Sequence, residues 1–174
     1  MDHNKAIVLF SGGWESTYCL TKAIKKFGVQ HVIPVYADYW QVDILNEKAS
    51  AILICQQLKI DRALSDLDLR GPWADRRRGL VVPGRNTILI TSTVQQAAYS
   101  DCNINDYYIG VRAPFQWVDK YKDSNRTWAR VLSKALGIKI HTPCLMLPKF
   151  YIKWWVRRHG ITDEMIYSTE DNND

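Results

Sequence analysis

Two hydroxyls, two glycines and a carboxylate fall within six residues, Ser11-Gly12-Gly13-Trp14-Glu15-Ser16. Ahead of them stands Ala6-Ile7-Val8-Leu9-Phe10, a continuous apolar run of the kind that forms a central strand buried on both faces of a parallel sheet. A helix-compatible run begins at Trp14. Glycines directly after a buried strand let the backbone turn sharply and let its N–H groups converge. The helix start adds unpaired amides and the positive end of a dipole. Strand, glycine turn and helix N-terminus together make a seat for an anion, most often phosphate. A tight turn in which Ser11 or Ser16 only caps the helix satisfies the same pattern. No lysine follows the glycines, so the segment is not GxxxxGK[ST], and it is not GxGxxG.

Three other stretches carry groups suited to a polar ligand. Val82-Pro83-Gly84-Arg85-Asn86 closes a long polar, basic loop just before a helix. There Arg85 is placed to grip a carboxylate or phosphate in two-point fashion, while Asn86 could equally serve as an N-cap. Gly110-Val111 ends a strand and leads into a segment with Asp119, Tyr121 and Asp123, which read either as ligand contacts or as loop surface. His141-Thr142-Pro143 is followed by Leu147 and Lys149. His141 reads as a packing or capping residue, and Lys149 as either a functional cation or cover for an exposed helix face. Arg76-Arg77-Arg78 reads as a solvated loop, with a basic lid as the alternative.

The six-residue segment resembles the SGGxDS signature of the PP-loop ATP pyrophosphatases, with Glu15 where that family has Asp. The GRN segment, the Gly-Val with its downstream Tyr-x-Asp, and Thr142-Pro143 with Leu147 and Lys149 follow in the same order and spacing as in the 7-cyano-7-deazaguanine (preQ0) synthases, the QueC family. This resemblance spans roughly residues 5–168. It implies an adenine nucleotide alpha hydrolase-like, Rossmann-like PP-loop fold and a cytoplasmic ligase of queuosine biosynthesis. Such an enzyme activates 7-carboxy-7-deazaguanine with ATP, adds ammonia, and dehydrates the amide with a second ATP. The resemblance assigns Phe10, Ser11, Gly12, Gly13, Glu15, Ser16, Thr17, Gly110 and Val111 to the nucleotide. Asp38, Arg85, Asn86, Tyr121 and Asp123 are assigned to substrate, and Ser11, Glu15, Arg85, Asn86 and Lys149 to catalysis. Mg²⁺ is expected at Glu15.

The chain departs from the family pattern at three places. The extra methylene of Glu15 carries its carboxylate roughly an ångström or more further out than an aspartate's. Of the Gln-Arg-His that often follows the second strand in the family, only Gln41 has a match in Tyr39-Trp40-Gln41-Val42-Asp43. The sequence stops near Thr169, where the first of four zinc cysteines stands in the family, so a trimmed form with no zinc site is expected. Such a form suits a compact genome such as a phage's, in which case the compartment is the host cytoplasm. Two other readings stay open: an enzyme that stops at the amide or adenylates another carboxylate, and a non-catalytic nucleotide-binding protein.

The elements that must position these groups alternate. Strands are expected at 6–10, 32–36, 60–64, 107–111 and 138–140, and helices at 14–27, 43–58, 87–100, 124–136 and 149–159. Pro34 suggests an edge or a strand end. Repeated βα units predict an α/β domain, an open parallel sheet with helices on both faces and ligands beyond the carboxyl ends of its strands. One domain over residues 1–174 is expected, with 168–174 a frayed tail. The net charge of +5 suits polyanions, but a nucleotide needs far less than a DNA surface does, so charge alone does not argue for nucleic-acid binding. Neither a membrane-spanning run nor a signal-peptide pattern is evident. The partners expected are small molecules, with no direct nucleic-acid or membrane contact, and a homodimer is left open. The scattered Cys19, Cys55, Cys102 and Cys144 read as reduced thiols rather than a metal site.

Overall fold

The computed structural model describes residues 5–39, 41, 43–61, 65–70, 84–100, 104–112 and 125–167. Within them a single five-stranded sheet runs β3-β2-β1-β4-β5, every neighbouring pair parallel. Its strands are β1 (Ala6–Leu9), β2 (Val32–Asp38), β3 (Ser65–Asp68), β4 (Asp106–Ile109) and β5 (Lys139–His141). The helices are α1 (Trp14–Phe27), α2 (Ile44–Gln57), α3 (Arg85–Tyr99), α4 (Arg126–Leu136) and α5 (Lys149–Arg157). β1 lies in the middle because all four of its residues are apolar and buried.

Alternate residues of β1 feed two separate cores. Ala6 and Val8, with Phe10 just beyond the strand, pack with Leu20 of α1, Ile54 of α2 and Ile152 of α5 on one face. Ile7 and Leu9 pack with Ile90 of α3 and with Trp128 and Leu132 of α4 on the other. The expected α/β class, a parallel sheet covered on both faces, is therefore what forms. The chain builds outward from β1 through β2 to β3, then returns to β4 on the opposite side of β1. A crevice opens at such a reversal, beyond the carboxyl ends of the two central strands. No helix among the described residues is long and apolar enough to cross a membrane.

Several element boundaries differ from expectation, each for a local reason. The strand expected at 60–64 lies instead at Ser65–Asp68. Ile60 is buried against the core as α2 ends, whereas Ser-Asp-Leu-Asp is an edge strand that buries only Leu67. Residues 62–64 lie outside the described set. The strand expected at 107–111 ends at Ile109, and β2 runs on to Asp38. Pro34 sits inside β2, next to the central strand. Its pairing with β3 begins only at Val35↔Ser65, so the missing N–H interrupts no described ladder bond. α3 begins at Arg85, two residues early, because Gly84 at φ 72° takes the N-cap. Arg85 and Asn86 are therefore helical, and Asn86 is not the cap. Arg76–Arg78, Cys102 and the 168–174 tail lie outside the described residues.

His141 has the packing role expected of it. Its ring stacks on Tyr108 at 4.4 Å between centroids, and Nε2 lies 2.6 Å from Oδ1 of Asp106. Lys26 Nζ reaches the same oxygen at 3.3 Å, and the Asp106 side chain is 4 % exposed. Burial alone would push that carboxyl up, but hydrogen bonds from His141 and Lys26, with their charges, hold it below the usual carboxylate range. A folded-state pKa below the unfolded value gives stability that is complete above about pH 4 and is lost as pH falls through the folded pKa. Asp106→Asn is expected to cost about 2 kcal/mol at neutral pH. In that variant, urea midpoints measured below about pH 4 should fall less steeply with acid than in the wild type.

Candidate functional site

Two glycines let three backbones converge at the carboxyl end of β1. Gly12 has φ 81°, and a Cβ built there would lie 2.7 Å from the Ala51 amide nitrogen and 2.8 Å from Ser50 Oγ of α2. A Cβ on Gly110, just past β4, would lie 2.7 Å from the Ser16 amide nitrogen. No L side chain fits either place without moving backbone, so β4 and α2 both close directly onto the turn.

Within the turn, Ser16 Oγ accepts from the Ser11 amide (3.3 Å), donates to the Gly13 carbonyl (3.1 Å) and lies 3.3 Å from Ser11 Oγ. Thr17 Oγ1 donates to the same carbonyl at 2.8 Å. Ser16 and Thr17 thus brace the turn, and Ser11 stays exposed at its mouth. The Gly12 and Gly13 amides donate to no backbone carbonyl among the described residues. Two adjacent amides with no backbone acceptor among the described residues, beside the first turn of α1, have the geometry of an anion seat.

This turn borders a cleft at the β1/β4 reversal. Phe10, Ser11, Ser16 and Gly110 line it, as do Arg85 and Asn86 from the first turn of α3. Tyr39 and Gln41, from the segment after β2, close its far side. The Arg85 guanidinium lies against Tyr39, Nη1 3.5 Å from the phenol oxygen and Cζ 5.7 Å from the ring centroid. Gln41 Nε2 donates to Tyr36 Oη (2.8 Å), the Ala37 carbonyl (3.0 Å) and Glu47 Oε2 (3.0 Å). Burial pushes the Glu47 carboxyl up, partly offset by the Gln41 and Tyr36 hydrogen bonds. Tyr36 and Tyr39 phenols are likewise pushed up by burial, so both stay protonated at neutral pH.

Of the other expected site residues, Glu15 occupies the first turn of α1, with Oε1 3.3 Å from Arg112 Nε. Mg²⁺ characteristically takes one or two carboxylates together with substrate phosphates. A single, partly exposed carboxylate beside the anion seat fits that donor set, with Arg112 competing for one oxygen. Among the described residues no group of three or more His, Cys, Asp or Glu is placed to hold a metal ion. Cys19, Cys55 and Cys144 are free and buried. Val111 is buried in the core beneath α3. Asp38 ends β2 but is not part of the cleft wall, and Arg70 Nε stands 3.6 Å from its carboxylate. Lys149 opens α5, one turn before Lys153, whose ammonium is 5.1 Å from the Trp14 ring; neither lines the cleft. Tyr121 and Asp123 lie outside the described residues. Arg112, Tyr39 and Ser50 are additions that the motifs did not single out.

This sheet order is that of the PP-loop, adenine nucleotide alpha hydrolase-like fold. Two solved structures share the fold. The U34-tRNA thiolase NcsA from Methanococcus maripaludis aligns at TM-score 0.62 and 12% identity, over 97% of this chain and 60% of that one. A predicted subunit of tRNA methyltransferase from Methanocaldococcus jannaschii aligns at 0.50 and 14%, over 88% and 74%. Parts of the chain are also similar to QueC proteins. Residues 5–76 match the family model for queuosine biosynthesis protein QueC. A 7-cyano-7-deazaguanine synthase from Koribacter versatilis is 27% identical over 178 aligned residues, 87% of this chain and 73% of that one. One from Clostridium botulinum is 45% identical over 69 residues, 40% of this chain and 30% of that one.

Gly110→Ala sets a methyl against the Ser16 amide, and overpacking of this kind costs about 1–3 kcal/mol. The variant is expected to melt several degrees lower than the wild type in a thermal scan.

Proposed function

We propose that the protein is an ATP-dependent enzyme that converts 7-carboxy-7-deazaguanine to 7-cyano-7-deazaguanine. The observation that carries this reading is the pair of glycine amides without a backbone acceptor among the described residues at the β1/β4 crevice, in a chain similar to named 7-cyano-7-deazaguanine synthases. A carboxylate is a poor electrophile until one oxygen becomes part of a leaving group. Attack of that oxygen on the α-phosphorus of ATP expels pyrophosphate and leaves an acyl-adenylate. Ammonia then displaces AMP to give the amide. A second ATP adenylates the amide oxygen, and loss of that oxygen with AMP leaves the nitrile.

In this reading the Gly12 and Gly13 amides, the Ser11 hydroxyl and the α1 N-terminus bind the departing pyrophosphate. Donors aimed at developing charge are the largest single contributor in such reactions. Arg85, at the opposite wall, holds a carboxylate or phosphate oxygen. The protonated Tyr39 phenol offers a neutral group to a heterocycle, while Gln41 braces the Tyr39 backbone through its Oε1. Mg²⁺, held through Glu15, would neutralise pyrophosphate charge when bound. The Glu15–Arg112 contact favours a second reading, in which the reaction ends at the amide, because Arg112 would compete with Mg²⁺ for the Glu15 carboxylate.

Incubation with ATP, Mg²⁺, ammonium and 7-carboxy-7-deazaguanine, followed by mass spectrometry, separates these outcomes: nitrile supports the first reading, amide alone the second, and no product removes both. Ser11→Ala is expected to lower ATP turnover roughly a hundredfold. Its melting temperature should hardly move, since the side chain is exposed.

A further inference from the structure

We propose that Ser50, which lies on α2 outside the cleft, is a positioning residue for the phosphate seat. It holds the Gly12 carbonyl on the α2 side, so that the Gly13 amide faces the anion. This rests on the nucleotide reading above and names a residue that acts through the backbone.

Ser50 is 7 % exposed in the middle of α2, where a serine has no helical advantage. A hydroxyl in that place commonly bonds back to its own helix. This one reaches across to Gly12 O at 3.0 Å and Met165 O at 2.5 Å, and accepts from the Tyr167 amide at 3.1 Å. Its single proton is within reach of either carbonyl, and the Tyr167 N–H donates to the same oxygen. The contact with Gly12 needs the glycine, because a Cβ there would stand 2.8 Å from Ser50 Oγ.

A trans peptide is planar, with C=O and N–H pointing in opposite directions. Holding the Gly12 carbonyl against α2 therefore turns the Gly13 N–H away from α2. Without the hydroxyl, the Gly12-Gly13 peptide loses the bond that fixes its orientation, and neither flanking residue has a Cβ of its own to resist rotation. The rotated form would present a carbonyl oxygen to the anion in place of a donor. Ser50 selects the donor-out form before any ligand arrives. It also ties that choice to the segment at 165–167, which packs on the outer side of the turn, with the Tyr167 carbonyl 3.8 Å from the position of a Cβ on Gly13.

The test is calorimetric titration of wild type, Ser50→Ala and Thr93→Ala with inorganic pyrophosphate, ATP and adenosine. Thr93 is also a buried hydroxyl, bonded at 2.6 Å within α3, and its loss reports on stability alone. Ser50→Ala is expected to weaken pyrophosphate and ATP about tenfold while adenosine affinity stays as in the wild type. Thr93→Ala should leave all three unchanged. Equal losses for pyrophosphate and adenosine, or unchanged pyrophosphate affinity in Ser50→Ala, would overturn the proposal. A wild type that binds neither ATP nor pyrophosphate would remove the nucleotide reading and this proposal with it. Independently of any variant's folding, the Gly13 amide ¹⁵N resonance of the wild type should shift on addition of pyrophosphate, and an unmoved Gly13 would count against it.

Discussion

Backbone packed on backbone, with no room for a β-carbon, is the constraint on which the rest depends. α2 approaches the turn after β1 at Gly12, and β4 approaches the start of α1 at Gly110. These contacts bring two separate parts of the chain within van der Waals distance of the six-residue turn. The helix start is then pinned at the crevice where the sheet reverses direction. Its amides are aimed by the surrounding elements, and the hydroxyls inside the turn are spent bracing it. What remains for a ligand is a pair of backbone donors and one exposed serine. That arrangement suits an anion whose charge is spread over several oxygens.

Charge around this seat is paired rather than free. Glu15 faces Arg112 across the gap between α1 and the end of β4, and Arg85 rests against the Tyr39 phenol. Glu47 is held by neutral partners, Gln41 and Tyr36. A triphosphate entering the cleft would exchange these internal contacts for its own oxygens, so the cations are poised without being left bare in a low-dielectric wall. On the far side of the sheet's edge, the buried Asp106 plays a different part. It joins α1 through Lys26 to β5 through His141, away from the cleft.

How much was legible in advance follows from which interactions are local. The βα alternation, the central place of β1 and the identity of the turn were written in short-range patterns: an unbroken apolar run, then glycines, then a helix-compatible stretch. The wall formed by Arg85 and Asn86 was legible as a pair of polar residues at an element boundary, but their place inside the first turn of α3 was not. That depended on Gly84 adopting a left-handed conformation. β3 was misplaced because an edge strand needs only one buried side chain, and Leu67 alone gives no periodic signal. Asp38 and Lys149 stand in the right segments yet outside the cleft wall, since a strand end or a helix start does not say where its side chain points.

By itself the amino-acid order determined the class of fold and the chemical character of the turn, because both arise from residues adjacent along the chain. Tertiary structure alone decided that Arg112 meets Glu15, that Tyr39 and Gln41 face Arg85, and that Ser50 holds Gly12. Each of those pairings joins elements that meet only after the sheet closes. Their geometry is set by helix–sheet packing at distances that no spacing rule encodes.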